Sequence, residues 1–500
     1  MTSTSEVRPM VDKLQITGES KVTSGTAASF QTDSLDDHID PKKWPLRRKW
    51  KAMLGISSFV LMSPLSSTIV APSLPSIARD LSISQPAEQS MVLSIFVLPY
   101  AFGPLIAGPL SEMYGRVRVI QSWNLLYLVF NTACGAAPSK SAMLAFRFLA
   151  GFFGSATLGI GGGTLSDLFT AEERGKAVAI YSVIPLLSPV IGPIVGGFIA
   201  QHISWHWAFY IASLLDVIIQ ILGIYFLEET YVPVLLHRKQ MHLMRTTALD
   251  HRLHSKTREA LKGLRSRLRT NLGRAALLLT TQPIVQVFAL YNAFLYGIIY
   301  ILYTIFPDLY TEVYHESEGI VGLHYLSMGV GMTIAAQGFT YVNDRIFASL
   351  KTRYSGVRLP EFRVPPMGPA TLLLAGGLFW YGWSAQYKLH WIMPDIGSGL
   401  FCIGAVVCGI SANAYIIDTY GKFSASALAA VGTLRSLTAF GFPLFAPYIF
   451  KAFGYGWAGS LLGFCALGIG LPCVAIIWFH GNTLRRRSTV LASDGEGSRV

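Results

Sequence analysis

Runs of about twenty predominantly apolar residues recur along this chain, and a run of that length matches one helical crossing of the ~30 Å hydrocarbon layer of a bilayer. They lie near 52–72, 91–111, 119–137, 143–165, 176–200 and 206–227, then, after a gap, near 284–306, 319–341, 367–386, 391–416, 424–447 and 456–479. In a bilayer every backbone polar group must be satisfied within the chain, so runs this long read as helices. Only 14% of the 500 residues are charged and 52% are apolar, against roughly 25% charged in soluble domains. An ordinary soluble enzyme is excluded, and the expected fold is an all-α membrane protein of twelve transmembrane helices in two six-helix halves.

Loop charge tests the count, because one misplaced helix would invert the alternation downstream of it. One side receives Lys42, Lys43, Arg47, Arg48, Lys49 and Lys51, then Arg116 and Arg118, Arg174 and Lys176, the central loop, Arg345 to Arg363, Lys422, and Arg485 to Arg487. The other side receives Arg79, Lys140, Lys388, Lys451 and the acids Asp308, Glu312, Glu316 and Glu318. The excess of 40 Lys and Arg over 28 Asp and Glu therefore orients the chain in a membrane, and nucleic-acid binding is not expected. Residues 1–50 are expected to form a polar N-terminal tail without a cleavable leader, 51–230 the first six-helix bundle, 231–278 a basic central loop, 279–481 the second bundle and 482–500 a C-terminal tail. Both tails and the loop are expected in the cytoplasm. The loop is either a solvated linker or a stretch lying on an anionic leaflet.

Several short patterns carry chemistry. Gly108-Pro-Leu-Ser-Glu112-Met-Tyr-Gly115-Arg116-Val-Arg118 occupies the turn after the second span. Its glycines suit close helix approach and a tight turn, Glu112 can pair with Arg116 or accept from a neighbouring helix N-terminus, and Arg118 can meet a carboxylate of the adjoining helix, a latch that holds two helices in one conformation and releases in the other; the alternative is a plain turn with orienting arginines. Asp344-Arg345, after the eighth span, is a faint echo. Ser188-Pro189-Val-Ile-Gly192-Pro193-Ile-Val-Gly196-Gly197 puts prolines and small residues inside the fifth span, where they kink a helix and admit a neighbour's backbone.

Charges inside spans are costly and mark functional candidates. Asp216 is the deepest acid, a carboxyl able to bind and release a proton or an Asp satisfied by a neighbouring helix. Arg147 lies about one turn into the fourth span and either needs a partner or snorkels to the boundary. Arg435, deep in the eleventh, is a counter-charge or an anion contact. Tyr291, Asn292, Tyr296, Tyr300 and Tyr303, with Gln286 and joined by Asn413 of the tenth span, either line a cavity for a bulky aromatic ligand or pack helices together. His202 and His206 stand four apart without a second pair, so no metal is expected; Gly159 to Gly163 lacks the preceding strand of a dinucleotide site. The five cysteines show no CxxC spacing and read as structural.

With these motifs in place, the chain from about Asp40 to Gly481 resembles the fungal twelve-span drug:proton antiporters of the major facilitator superfamily. The segment 108–118 is similar to that family's loop signature, with Glu112 and Met113 in place of Asp and Arg. The segment 188–197 is similar to its antiporter motif, with Ser188 replacing the first Gly. Asp40-Pro-Lys-Lys-Trp44 and Glu229-Thr-Tyr-Val-Pro-Val-Leu-Leu236 match two flanking signatures. The resemblance implies a role for Arg147 in proton coupling. It further implies a monomeric, cofactor-free plasma-membrane exporter that trades protons for a small organic molecule by alternating access. Symport or uniport of a nutrient, polyamine or organic acid is the alternative within the fold; a polytopic enzyme or receptor is the alternative outside it.

Overall fold

The computed structural model describes residues 40–236, 238, 272–354 and 359–486, and the regular elements among them are helical. Most of the N-terminal tail, most of the basic central loop and residues 487–500 lie outside the described residues. The first half comprises α1 (Leu46–Thr68), α2 (Leu74–Asp80), α3 (Pro86–Ser94), α4 (Gly103–Tyr114), α5 (Arg116–Gly135), α6 (Lys140–Leu168), α7 (Ala171–His202) and α8 (Trp205–Phe226). The second comprises α9 (Pro283–Asp308), α10 (Glu318–Arg353), α11 (Met367–Gln386), α12 (Ile392–Tyr420) and α13 (Ser424–Arg486).

Eight helices among the described residues are long and apolar enough to cross a membrane. The twelve expected spans are not all met as such, and the departures fall at particular places. The second span breaks into α3 and α4 around Pro99 and Pro104, whose missing N–H groups interrupt the helix ladder. The third, α5, carries Asn124 and Asn131 on a face turned to α8, whose Gln220 also bonds the Gln121 carbonyl. The ninth, α11, carries four glycines and two tryptophans. The eleventh and twelfth follow one another directly within α13 as two helices parted only at Gly454, whose backbone, with φ +71°, is not helical.

The turns between spans gather at two ends of the molecule, with α1 and α2, and likewise α3 and α4, following one another within a single span. At the base, ion pairs gather the start of α1 and the turns that follow: Arg48 with Glu228, Lys49 with Glu173 at 2.7 Å, Arg363 with Asp418 at 3.1 Å and Arg485 with Glu361 at 2.9 Å. At the opposite rim lie α2, the α7–α8 turn and the start of α10. Asp40 caps a short turn before α1 by accepting the Lys42 N–H at 3.0 Å. Along α8 the exposed residues Leu214, Val217, Ile218, Ile221, Leu222 and Tyr225 form an apolar face. Such a face would aggregate in water and is solvated by lipid tails.

Each half packs on itself, α5 on α6 and α8, α1 on α6, α7 and α8; α9 on α13, and α11 on α12 and α13. The halves meet chiefly where α7 packs on α10 and where α13 packs on α3 and the Leu98–Ala101 turn.

Candidate functional site

At the base, the turn between α4 and α5 needs Gly115: its φ is +104°, and a Cβ there would stand 2.1 Å from Glu229 Oε2. Glu229 Oε1 accepts the Arg116 N–H at 2.8 Å and those of Thr230 and Tyr231 at 3.2 Å, placing a carboxylate on the N-terminus of α5, where the helix dipole favours it. The Arg116 guanidinium bonds Asp167 at 3.2 Å and the Ser111 hydroxyl at 2.8 Å, and Arg238 lies 3.6 Å from Glu229. The carboxylates of this turn are thus Asp167 and Glu229, supplied by α6 and by the segment after α8, where the sequence pointed to Glu112. Glu112 is half-buried and Arg118 exposed. At Gly108 a Cβ would meet nothing within 4 Å, so no close approach depends on it. Asp344-Arg345 makes no matching turn. With no glycine until Gly356, α10 continues to Arg353; Arg345 is exposed and the Asp344 side chain lies outside the described residues.

Gly115→Ala is expected to lower stability by about 1–3 kcal/mol, the usual cost of forcing a side chain into a glycine-only backbone region, and to displace Glu229 from α5. The thermal midpoint of the purified variant checks this; an unchanged midpoint would mean that the turn relaxes freely.

In the middle of the first half, Arg147 is fully buried. Its Nε donates to Val92 O at 3.0 Å, Nη1 to Ser66 O at 2.7 Å, and Nη2 to Ser67 O at 3.1 Å and Leu93 O at 3.4 Å. Those carbonyls belong to the last turns of α1 and α3, where a helix leaves its final C=O groups without internal partners and its dipole favours a cation. The planar guanidinium therefore clamps two helix ends, with Phe96 beneath it at 4.6 Å. It does not snorkel.

Asp216 is fully buried on α8. Asn124 Nδ2 of α5 donates to both its oxygens, at 3.0 and 3.1 Å, and Gln220 beside it donates to Gln121 O at 3.1 Å. Tyr127, one turn along α5 and close to the Asp216 carboxyl, bonds the Ser66 hydroxyl, while the Ser66 carbonyl takes the Arg147 guanidinium. A series of polar groups so runs from Asp216, which Tyr127 feels electrostatically, through the Tyr127–Ser66 hydrogen bond to Arg147. Sequence reading missed Asn124, Tyr127 and Ser66; the polar residues 121, 124 and 131, inside an otherwise apolar run, were the available signal.

The chain of polar groups continues across the junction. Tyr100, bonded to Ser63 at 2.5 Å, neighbours Tyr300 and Arg435 of the second half, and Tyr300 reaches Ser67. The half-buried Arg435 lies over the Tyr296 ring at 4.4 Å. The other members of the expected aromatic stripe point elsewhere. Tyr291 bonds Thr371 of α11 at 2.9 Å, Asn292 bonds Phe288 O of its own helix, and Tyr303 stacks on Tyr325. Gln286 and Asn413 are exposed. His206 stacks on Trp205 and bonds Ser204.

The fifth-span motif serves both faces of α7. Cβ atoms at Gly192 and Gly196 would stand 2.6 Å from Leu65 O and 1.9 Å from Ile69 O of the first half; one at Gly197 would stand 2.4 Å from Glu318 O of α10. Reciprocally, a Cβ at Gly322 of α10 would stand 2.5 Å from Pro193 O. Pro189 O accepts the Thr68 hydroxyl at 2.9 Å, and Ser188 bonds back to Ile184 O at 2.6 Å. At the rim the seam closes through Gln201 Oε1, which accepts the Gly319 N–H at 3.0 Å, and Glu318 Oε1, which accepts the Ser76 hydroxyl at 2.5 Å.

The profile described as Major Facilitator Superfamily matches residues 56–443. Efflux pump vrtL of Penicillium aethiopicum is 44% identical over 456 residues, covering 91% of this chain and 90% of its own. MFS-type transporter oryF of Aspergillus oryzae is 38% identical, covering 92% and 95%. Among solved structures, the inward open conformation of the xylose transporter XylE from E. coli superposes with a TM-score of 0.62 at 12% identity, covering 86% of this chain and 96% of that one.

Proposed function

The chain belongs to the major facilitator superfamily, and from that premise we propose that it is a proton-driven exporter of a bulky small organic molecule, crossing the plasma membrane twelve times with both tails in the cytoplasm. It is a membrane transporter and not an enzyme; the driving ion, cargo, direction and location are the proposal. The observation that carries it is the polar chain from buried Asp216 through Tyr127 and Ser66 to Arg147, ending beside Tyr300 and Arg435 of the other half. A carboxyl that exchanges protons is thereby tied to the junction that must rearrange when access alternates between sides. Support for export comes from the efflux-pump name of its 44% identical relative and from the closely packed α7 motif at the α7–α10 seam. The base, with its Lys and Arg, is then cytoplasmic, and the rim, where the halves touch, is closed.

In this reading the rim opens to release cargo outside and Asp216 loads a proton; the rim closes, the proton leaves at the base, and cargo enters there between Tyr296, Tyr300 and Arg435. No cofactor is required, because the proton gradient supplies the work, and a single chain contains the whole path. Inside-out vesicles bearing the chain, bathed in a small-molecule extract, test it by mass spectrometry. Some compounds should concentrate in the lumen only when the lumen is acid; equal lumenal profiles with and without the chain would contradict export.

A further inference from the structure

Near the rim of the second half, His324 of α10 is buried with a carboxylate on each ring nitrogen: Nδ1 is 2.7 Å from Asp395 Oδ2 on α12, and Nε2 meets Glu316 Oε2 in the loop before α10. Tyr310 donates to the other Asp395 oxygen at 2.7 Å, and its ring stacks on the imidazole at 3.7 Å. We propose that His324, Asp395 and Glu316 form a proton-binding site that fastens the rim gate, separate from Asp216. The proposal rests on the alternating-access reading above.

The chemistry follows from the inventory of donors. A neutral imidazole has one N–H and one lone pair, so it can satisfy one carboxylate while its lone pair faces the other. Only the imidazolium donates to both. The observed arrangement therefore contains one bound proton, and both ring nitrogens are engaged by carboxylates, leaving neither for a metal. The charged groups acting on His324 are the acids Asp395 and Glu316. Tyr310 and Tyr314 after α9 and Tyr381 of α11 act on Asp395, and Trp391 before α12 meets the imidazole edge-on with His390 against it; Asp308 and Glu312 lie along the end of α9 and its following turn, Glu318 starts α10 and Lys388 precedes α12.

The site's position links it to the gate. Gly319 and Gly322, on the same first turns of α10, are the residues that touch Gln201 and Pro193 of α7. The cluster holds that helix start from the second half while α7 and Ser76 hold it from the first. Its loop is already strained, since His315 has φ +56° without being glycine. When the proton leaves, two carboxylates face a neutral ring. Glu316, the more exposed and on the strained loop, is the group that detaches, and the start of α10 loosens. The gate should thus close at low rim-side pH and open as pH rises.

Nitroxides at Ile203→Cys and Ile320→Cys, both exposed rim positions, on the full chain with Cys465→Ser in lipid nanodiscs, report the gate by pulsed electron–electron resonance between pH 5 and 8.5. In the parent the open fraction should rise severalfold across this range. In His324→Gln it should be high and independent of pH. In Glu316→Gln a neutral imidazole fits both partners, donating to Asp395 and accepting from the new amide, so the gate should stay closed throughout. Identical pH profiles in the three proteins, or a parent gate that does not respond, would overturn the proposal. Vesicle uptake by the parent separates the two readings: export without gate titration sinks only this site, while titration without export sinks only the exporter.

Discussion

Asp216→Asn is expected to abolish uphill, pH-driven export, by about 100-fold or more, while downhill exchange of the same cargo continues. The amide keeps the volume of the carboxyl and can still accept the Asn124 donor through its oxygen, turning its NH2 toward Gln220 Oε1, which lies 3.1 Å from the same Asn124 amide. Packing between α5 and α8 is therefore retained. What is lost is titration: an amide neither takes nor yields a proton, so the step linking the gradient to the junction has no carrier. Acid-lumen vesicles with Asp216→Asn should equilibrate cargo without concentrating it. Wild-type accumulation with an unaltered pH dependence would make Asp216 a packing residue and leave coupling to groups around Arg147.

The second large effect concerns the α7–α10 seam. In Gly322→Leu the new side chain meets the Pro193 carbonyl, a backbone atom of a helix that cannot step aside. Overpacking of this kind costs about 1–3 kcal/mol, borne only by the closed-rim state. Since 1.4 kcal/mol is tenfold, closed molecules become roughly 5- to 150-fold scarcer, and the cycle stalls with the rim open. Rim distances from the same nitroxide pair should lengthen and export should fall in proportion. Gly338→Leu, on the same helix where a Cβ meets nothing within 4 Å, should export nearly as the parent does. Closed-rim distances in Gly322→Leu would show that the seam yields.

The helices were legible in the sequence because bilayer thickness fixes their length, and the exceptions have equally physical causes. A span lined with Asn and Gln, or broken by Pro99 and Pro104, loses its apolar signature without ceasing to be helical. Asp216 and Arg147 stood out as charges in apolar runs, yet their partners did not. Arg147 is held by backbone carbonyls, which every residue possesses and no pattern marks. Asp167 and Glu229 lie 51 and 113 residues from Arg116, a separation that only the packing of α6 and the α8 exit against the turn bridges. The acids after the seventh span read as loop charge, and their pairing with His324 across 71 residues to Asp395 was invisible. The tyrosine periodicity was real, but one helical face served two neighbours: Tyr296 and Tyr300 turn to the junction, whereas Tyr291 and Tyr303 pack within the second half.

Counter-movement of protons is the most direct test of the account. Proteoliposomes holding a pH-sensitive dye, with no initial pH difference, are given a steep outward gradient of a compound identified in the vesicle uptake. Efflux of that compound should drive protons inward, acidifying the lumen, with Asp216→Asn liposomes silent. Alkalinisation of the lumen, in which protons leave together with the compound, would contradict antiport and establish a symporter of the same fold.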